Sequence, residues 1–140
     1  MTPETLRVLE AADRQGQWEQ PDGFDHQAAL HRFNGFLAEL EQRLGGRLQA
    51  DTGSSLQDCS FHAEVFFEGG LLRLSNFGNL AAFTPDHTVS SDVVDSVSEL
   101  LARHGYIFLP DTAELEETYP RVPGPSPGGW TWWIRHFDYL

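Results

Sequence analysis

The chain has 140 residues, with 9 Lys+Arg against 21 Asp+Glu, a formal net charge of −12 and a pI near 4.7. That length predicts one domain, residues 1–140, large enough to bury a core without staples. With 10 Phe, 4 Trp and 3 Tyr the composition argues against disorder, and its acidity argues against nucleic acid and anionic membrane as partners.

All nine basic residues are Arg. This bias runs through the whole chain and points to codon usage more than to selection for forked carboxylate pairing. The single cysteine, Cys59, gives no disulfide framework and no Cys-rich zinc site. Residues 1–4, Met-Thr-Pro-Glu, show neither a basic nor an apolar leader region, and no apolar run reaches the length of a membrane span. A cytoplasmic protein with a reduced cysteine is expected.

A first helix is predicted from Pro3 to about Gln15. Thr2 serves as N-cap, Leu6, Leu9 and Ala12 recur at helical spacing, and Gly16 is the stop. Gln17 to Gly23 reads as a loop that is polar except for Trp18. Asp22 or Asp25 then caps a second helix. There Ala29, Phe33, Phe36, Leu37, Leu40 and Leu44 form one stripe, ended by Gly45-Gly46.

The period then changes to two. Phe61, Ala63, Val65 and Phe67 alternate as a strand, Glu68-Gly69-Gly70 is a hairpin turn, and Leu72 and Leu74 mark the return strand. Arg47–Ala50 and Leu80–Thr84 are expected as flanking short strands. A third helix begins near Ser91 or Asp92, carries Val93, Val97, Leu100, Leu101 and His104 on one face, and stops at Gly105.

Tyr106–Leu109 reads as a short buried strand closed by Pro110. Asp111 to Glu114 resembles a capping box on a one-turn helix ending near Glu117. Pro120 to Gly129, with four Pro and three Gly, reads as an extended loop. Trp130–Leu140 carries five aromatics in eleven residues. It is expected to return as a strand, with Trp130, Trp132, Ile134 and His136 on one side and Thr131, Trp133, Arg135 and Phe137 on the other.

The fold class that follows is α+β, a single domain. It has two N-terminal helices, a mainly antiparallel sheet of about four to six strands, and a third helix packed on it. The predicted core is Phe33, Phe36, Leu37, Leu40, Phe61, Val65, Leu72, Leu74, Val97, Leu101, Ile107 and Trp132.

No motif specifies catalysis. Cys59 and His62 point to opposite sides of a strand, so Cys59 reads as a buried core thiol. The histidines at 26, 31, 62, 87, 104 and 136 have no metal-ligand spacing, and the glycine pairs lack the strand–loop–helix context of a phosphate loop. The expectation is therefore no catalytic residue, no metal and no cofactor. A hydrolase built on His62 and Glu64 is a minor alternative.

Two features stand out. Between Asp86 and Glu117 lie eight acidic residues, Asp86, Asp92, Asp95, Glu99, Asp111, Glu114, Glu116 and Glu117, with Arg103 as the single cation. Aromatic residues are also abundant in loops and at the end, and of these Trp18 and Tyr119 are candidate anchors. Acidic surfaces with aromatic anchors suit a basic protein partner, because charge steers encounter and aromatics supply hot spots. A structural or regulatory homodimer that pairs an aromatic surface is the second reading.

Ser75-Asn76-Phe77-Gly78-Asn79, Gly105-Tyr106-Ile107-Phe108-Leu109-Pro110 and the ending Trp130–Leu140 give the chain a resemblance to small acidic α+β immunity proteins, which neutralise bacterial toxins. The resemblance implies a non-enzymatic inhibitor of a cognate toxin, such as a nuclease with a basic active site. It assigns no residue a role.

Overall fold

The computed structural model describes residues 1–14, 16–53, 56, 59–120 and 130–139. In chain order they form α1 (Pro3–Ala12), α2 (His26–Leu44), β1 (Gln49–Asp51), β2 (Phe61–Phe67), β3 (Gly70–Ser75), β4 (Leu80–Phe83), α3 (Ser91–Arg103) and β5 (Ile107–Phe108). A 3-10 turn, Glu114–Glu116, follows. The last described element is helical: Trp132 and Trp133 lead into a π-helical stretch, Ile134–Asp138, together called the C-terminal helix below.

The sheet order is β1-β2-β3-β4-β5, antiparallel except for the parallel β4–β5 pair. This is the α+β architecture that the change of period from helical to alternating predicts. No helix among the described residues is long and apolar enough to cross a membrane.

Local signals set the helix boundaries. Thr2 Oγ1 accepts from the Thr5 N–H (3.2 Å), Asp25 Oδ1 from Ala28 (3.0 Å) and Ser90 Oγ from Val93 (3.4 Å), each satisfying a donor that the first turn leaves unpaired. Gly45 closes α2 at φ 81°, in the left-handed region that favours glycine.

Both faces of the sheet are covered. Phe33, Phe36 and Leu40 of α2 and Val97, Leu100 and Leu101 of α3 pack on Ala63, Val65, Leu72, Leu74, Ala81 and Phe83. On the other face Leu9 and Ala12 of α1, with Leu115, Tyr119, Trp132, Trp133 and Phe137, pack on Leu80 and Ala82. Strand β4 is buried at every residue, since Ala81 and Phe83 serve one layer and Leu80 and Ala82 the other.

Four expectations need correction. The first helix ends at Ala12 and not near Gln15, because Asp13 turns to extended backbone (φ −71°, ψ 135°) and carries its carboxylate into the interior. Ile107 is 44% exposed, since β5 is a two-residue edge strand with no further strand beside it among the described residues; Leu37 is only partly buried.

The third correction is the largest. The described part of this segment, residues 130–139, does not return as a strand. After one bridge, Thr131 to Thr118, it becomes a helix laid against the sheet. Its rings stack at helical spacing, Trp132 on His136 and Trp133 on Phe137, at 5.7 and 5.0 Å. Strand β3 holds the carbonyls near its end: Ser75 Oγ donates to His136 O (2.7 Å) and Arg73 Nη1 to Phe137 O (3.0 Å). Finally, Glu114 does not complete a capping box; its carboxylate accepts the Thr2 N–H at 2.9 Å, although Asp111 does accept from Ala113 (3.2 Å). The predicted Pro/Gly loop lies outside the described residues from 121 to 129.

Candidate functional site

The acidic stretch divides into two groups. Asp92, Asp95 and Glu99 are exposed on α3, which covers one face of the sheet. Asp111, Glu114, Glu116 and Glu117 surround the 3-10 turn, whose Leu115 is buried in the opposite layer. The topology brings three of these residues to one end of the molecule. Asp86 follows β4, Asp92 opens α3 and Asp111 follows β5, so all three sit at the carboxyl-terminal end of the parallel β4–β5 pair.

Their charges are not equally free. Glu99 pairs with Arg43 (3.0 Å) and lies 3.5 Å from Arg103, which also meets Glu39 at 3.0 Å. Glu117 lies 2.9 Å from the Met1 ammonium, whose pKa it raises by hydrogen bond and charge, with smaller contributions from Glu114 and Asp111. Asp92, Asp95 and Glu116 are exposed and take no ion pair from a described residue. Asp86 is exposed in a turn at φ 64°.

The two aromatic candidates separate sharply. Tyr119 is 1% exposed, and its hydroxyl donates to Asp13 Oδ2 at 2.8 Å. Burial, then the Asp13 hydrogen bond, pushes its pKa up to about 12. Tyr119 is therefore a core residue and not an anchor: its ring closes a cage around Arg135. Trp18 is half-buried, with the Arg135 guanidinium 4.7 Å from its centroid and the edges of Tyr119 and Trp130 against it.

The hydrolase pair comes apart. A bulge between Phe61 and Ala63 turns His62 toward Asn76, while Glu64 is held by Arg73 Nε at 2.9 Å. Arg73 also pairs with Asp138 and lies 4.2 Å from the Phe61 ring centroid, so it clamps the C-terminal helix to the sheet. Asn76 Nδ2 donates to Glu19 O and Cys59 O (2.9 and 3.0 Å), which aims its Oδ1 at His62 Nδ1, 3.1 Å away. His62 thus carries its proton on Nδ1, and burial lowers its pKa to about 4. Cys59 is buried, as the sequence suggests. No three His, Cys, Asp or Glu residues converge as metal ligands among the described residues.

Two grooves flank these features. One, of about 390 Å³, lies between the β2–β3 turn and the start of α3, against Glu68, Thr88 and Val93. The other, of about 250 Å³, lies beside Trp18 and Tyr139. Sequence reasoning missed Tyr139 as a neighbour of Trp18 and Glu19, because that proximity depends on the C-terminal helix reaching the α1–α2 loop.

Compared with protein-family models, curated protein sequences and solved structures, the chain matches none.

Proposed function

We propose that this protein is a non-enzymatic binding module of the immunity type, which neutralises a basic toxin such as a nuclease by covering its positive cleft. The observation that carries this reading is the arc of exposed carboxylates at one end of the sheet, Asp86, Asp92 and Asp111, continued by Asp95 and Glu116 on a chain of net charge −12. Such a charge repels itself in the folded state, and a positive partner converts that cost into attraction and faster encounter. The engagement of Glu64 with Arg73 also favours this reading over a hydrolase, which would need that carboxylate for chemistry.

The test uses the partner and the full chain. Association should slow as salt shrinks the Debye length from ~10 Å at 0.1 M to ~3 Å at 1 M. The Asp95→Arg and Glu116→Arg double variant should slow it further while leaving the melting temperature nearly unchanged. A toxin of nuclease type should lose its activity at one equivalent of this protein. A rate indifferent to both salt and charge reversal would remove the electrostatic reading.

A further inference from the structure

The groove beside the α1–α2 loop is lined by Gly16, Gln17, Trp18, Glu19, Gln20 and Tyr139. Its aromatic wall is fixed before any ligand arrives. Beneath the Trp18 indole, Arg135 donates to Asp13, to Arg14 O (2.9 Å) and to Gln17 O (2.7 Å), so the cation under the ring cannot swing away. Trp130 meets the Trp18 ring edge-on at 5.4 Å and Tyr139 at 5.6 Å.

The loop itself is stapled. Gln17 Oε1 accepts the Asp22 N–H at 2.9 Å while its Nε2 donates to Asp22 Oδ2 at 3.2 Å. Tyr139 is anchored through its backbone, donating to Ser60 Oγ and accepting from the Ser60 N–H. A ligand stacking here would incur little ordering cost.

Charge selects the ligand. The Glu19 side chain is exposed at the groove and takes no ion pair or hydrogen bond from a described residue. The nearby cations are engaged: Arg135 is buried against Asp13, and Arg14 Nη1 donates to Ala11 O and Asp13 O. An aromatic wall beside an available carboxylate suits a cation, and a guanidinium both stacks on indole and forks to a carboxylate, whereas an ammonium stays more strongly hydrated.

We propose that this groove is the anchor subsite for an arginine side chain of the partner, with Trp18 and Tyr139 as the stacking surface and Glu19 as the counter-charge. The assignment rests on the basic-partner reading above and adds a position and a residue type to it.

The probe is an eight-residue Gly-Arg repeat peptide, with the matching Gly-Lys peptide as comparison, titrated into the full chain at about 0.05 M salt. The indole N–H resonance of Trp18, identified as the one lost in Trp18→Phe, should move on adding the Arg peptide. Glu19→Arg and Trp18→Ala should each weaken that peptide about three- to thirtyfold, and the Lys peptide should bind more weakly than the Arg peptide. Glu19→Arg is a surface change and keeps the test valid if Trp18→Ala unfolds the loop. Arg-peptide binding that is weakened by Asp95→Arg with Glu116→Arg, but unchanged by Glu19→Arg and silent at Trp18, overturns the groove and leaves the acidic-surface reading standing. No binding of either peptide overturns both.

Discussion

The Asp13 carboxylate meets the Arg135 guanidinium at 2.9 Å, with both side chains wholly buried and 122 positions apart in the chain. The pair joins the end of α1 to the C-terminal helix, and three rings, Trp18, Phe77 and Tyr119, lie 4.7, 4.3 and 5.9 Å from the guanidinium. Tyr119 donates to the second carboxylate oxygen, so the desolvated charges are enclosed by hydrogen bonds and π faces.

Arg135→Met should destabilise the fold by about 3–5 kcal/mol, because it takes the cation away from a buried carboxylate. Adding Asp13→Asn should recover part of that loss, since no full charge then remains at the site. Urea unfolding of the wild-type chain and these two variants at pH 7 measures both numbers. A single-variant loss under about 1 kcal/mol would mean the pair is solvated.

Acid should unfold the protein well before its carboxylates are all protonated. Burial lowers the pKa of His62 to about 4, and burial with the Arg135 charge lowers that of His136 to about 3. An unfolded histidine takes up its proton near pH 6.5, so between about 6.5 and 4 the unfolded chain binds more protons and stability falls as pH falls. Each residue is worth about 3–5 kcal/mol across its window. The His62→Gln variant should show a shallower loss between pH 6.5 and 4, read from denaturant midpoints; an unchanged slope would place the titration elsewhere.

Gly78→Ala should cost about 2–4 kcal/mol. Gly78 sits at φ 60°, and a Cβ there would lie 2.6 Å from Ala12 Cβ, so both backbone conformation and the α1 contact oppose the change. Gly16→Ala, also at positive φ but with no atom within 4 Å of its added Cβ, should lose only the conformational part. Thermal melts of the two variants compare the terms directly.

Phe36→Ala should cost about 3–5 kcal/mol, as its ring is fully buried between α2 and α3, near Phe33 and Tyr106. Deleting residues 130–140 should give an insoluble or molten chain, because it strips Trp132, Trp133 and Phe137 from the second layer and leaves Asp13 buried without Arg135. Near-UV circular dichroism and solubility report the outcome.

The hairpin and the three long helices are legible in the sequence because their signals are local. Alternation at Phe61–Phe67, the Glu68-Gly69-Gly70 turn, the stripe from Phe33 to Leu44 and caps such as Thr2 act over a few residues. The C-terminal segment misled the reading because Trp130, Trp132, Ile134 and His136 fit alternation, whereas the spacing that governs is Trp132 to His136 and Trp133 to Phe137. Two periods were compatible with one string. The uncovered face of β2 and β3, with Ser75 and Arg73 ready to take helix carbonyls, selects between them.

What the sequence determined by itself is the α+β class, the helix caps, the buried stripe of α2 and the excess of acid between Asp86 and Glu117. Those properties depend on propensity, periodicity and composition, which neighbours in the chain set together. Only the tertiary structure decided that Tyr119 is buried and Trp18 half-exposed, that Glu64 pairs with Arg73, and that Asp86, Asp92 and Asp111 share one end of the sheet. Each of these follows from contacts between residues far apart in sequence. A residue type states what a side chain can do, but its burial and its partner depend on which distant segment folds over it.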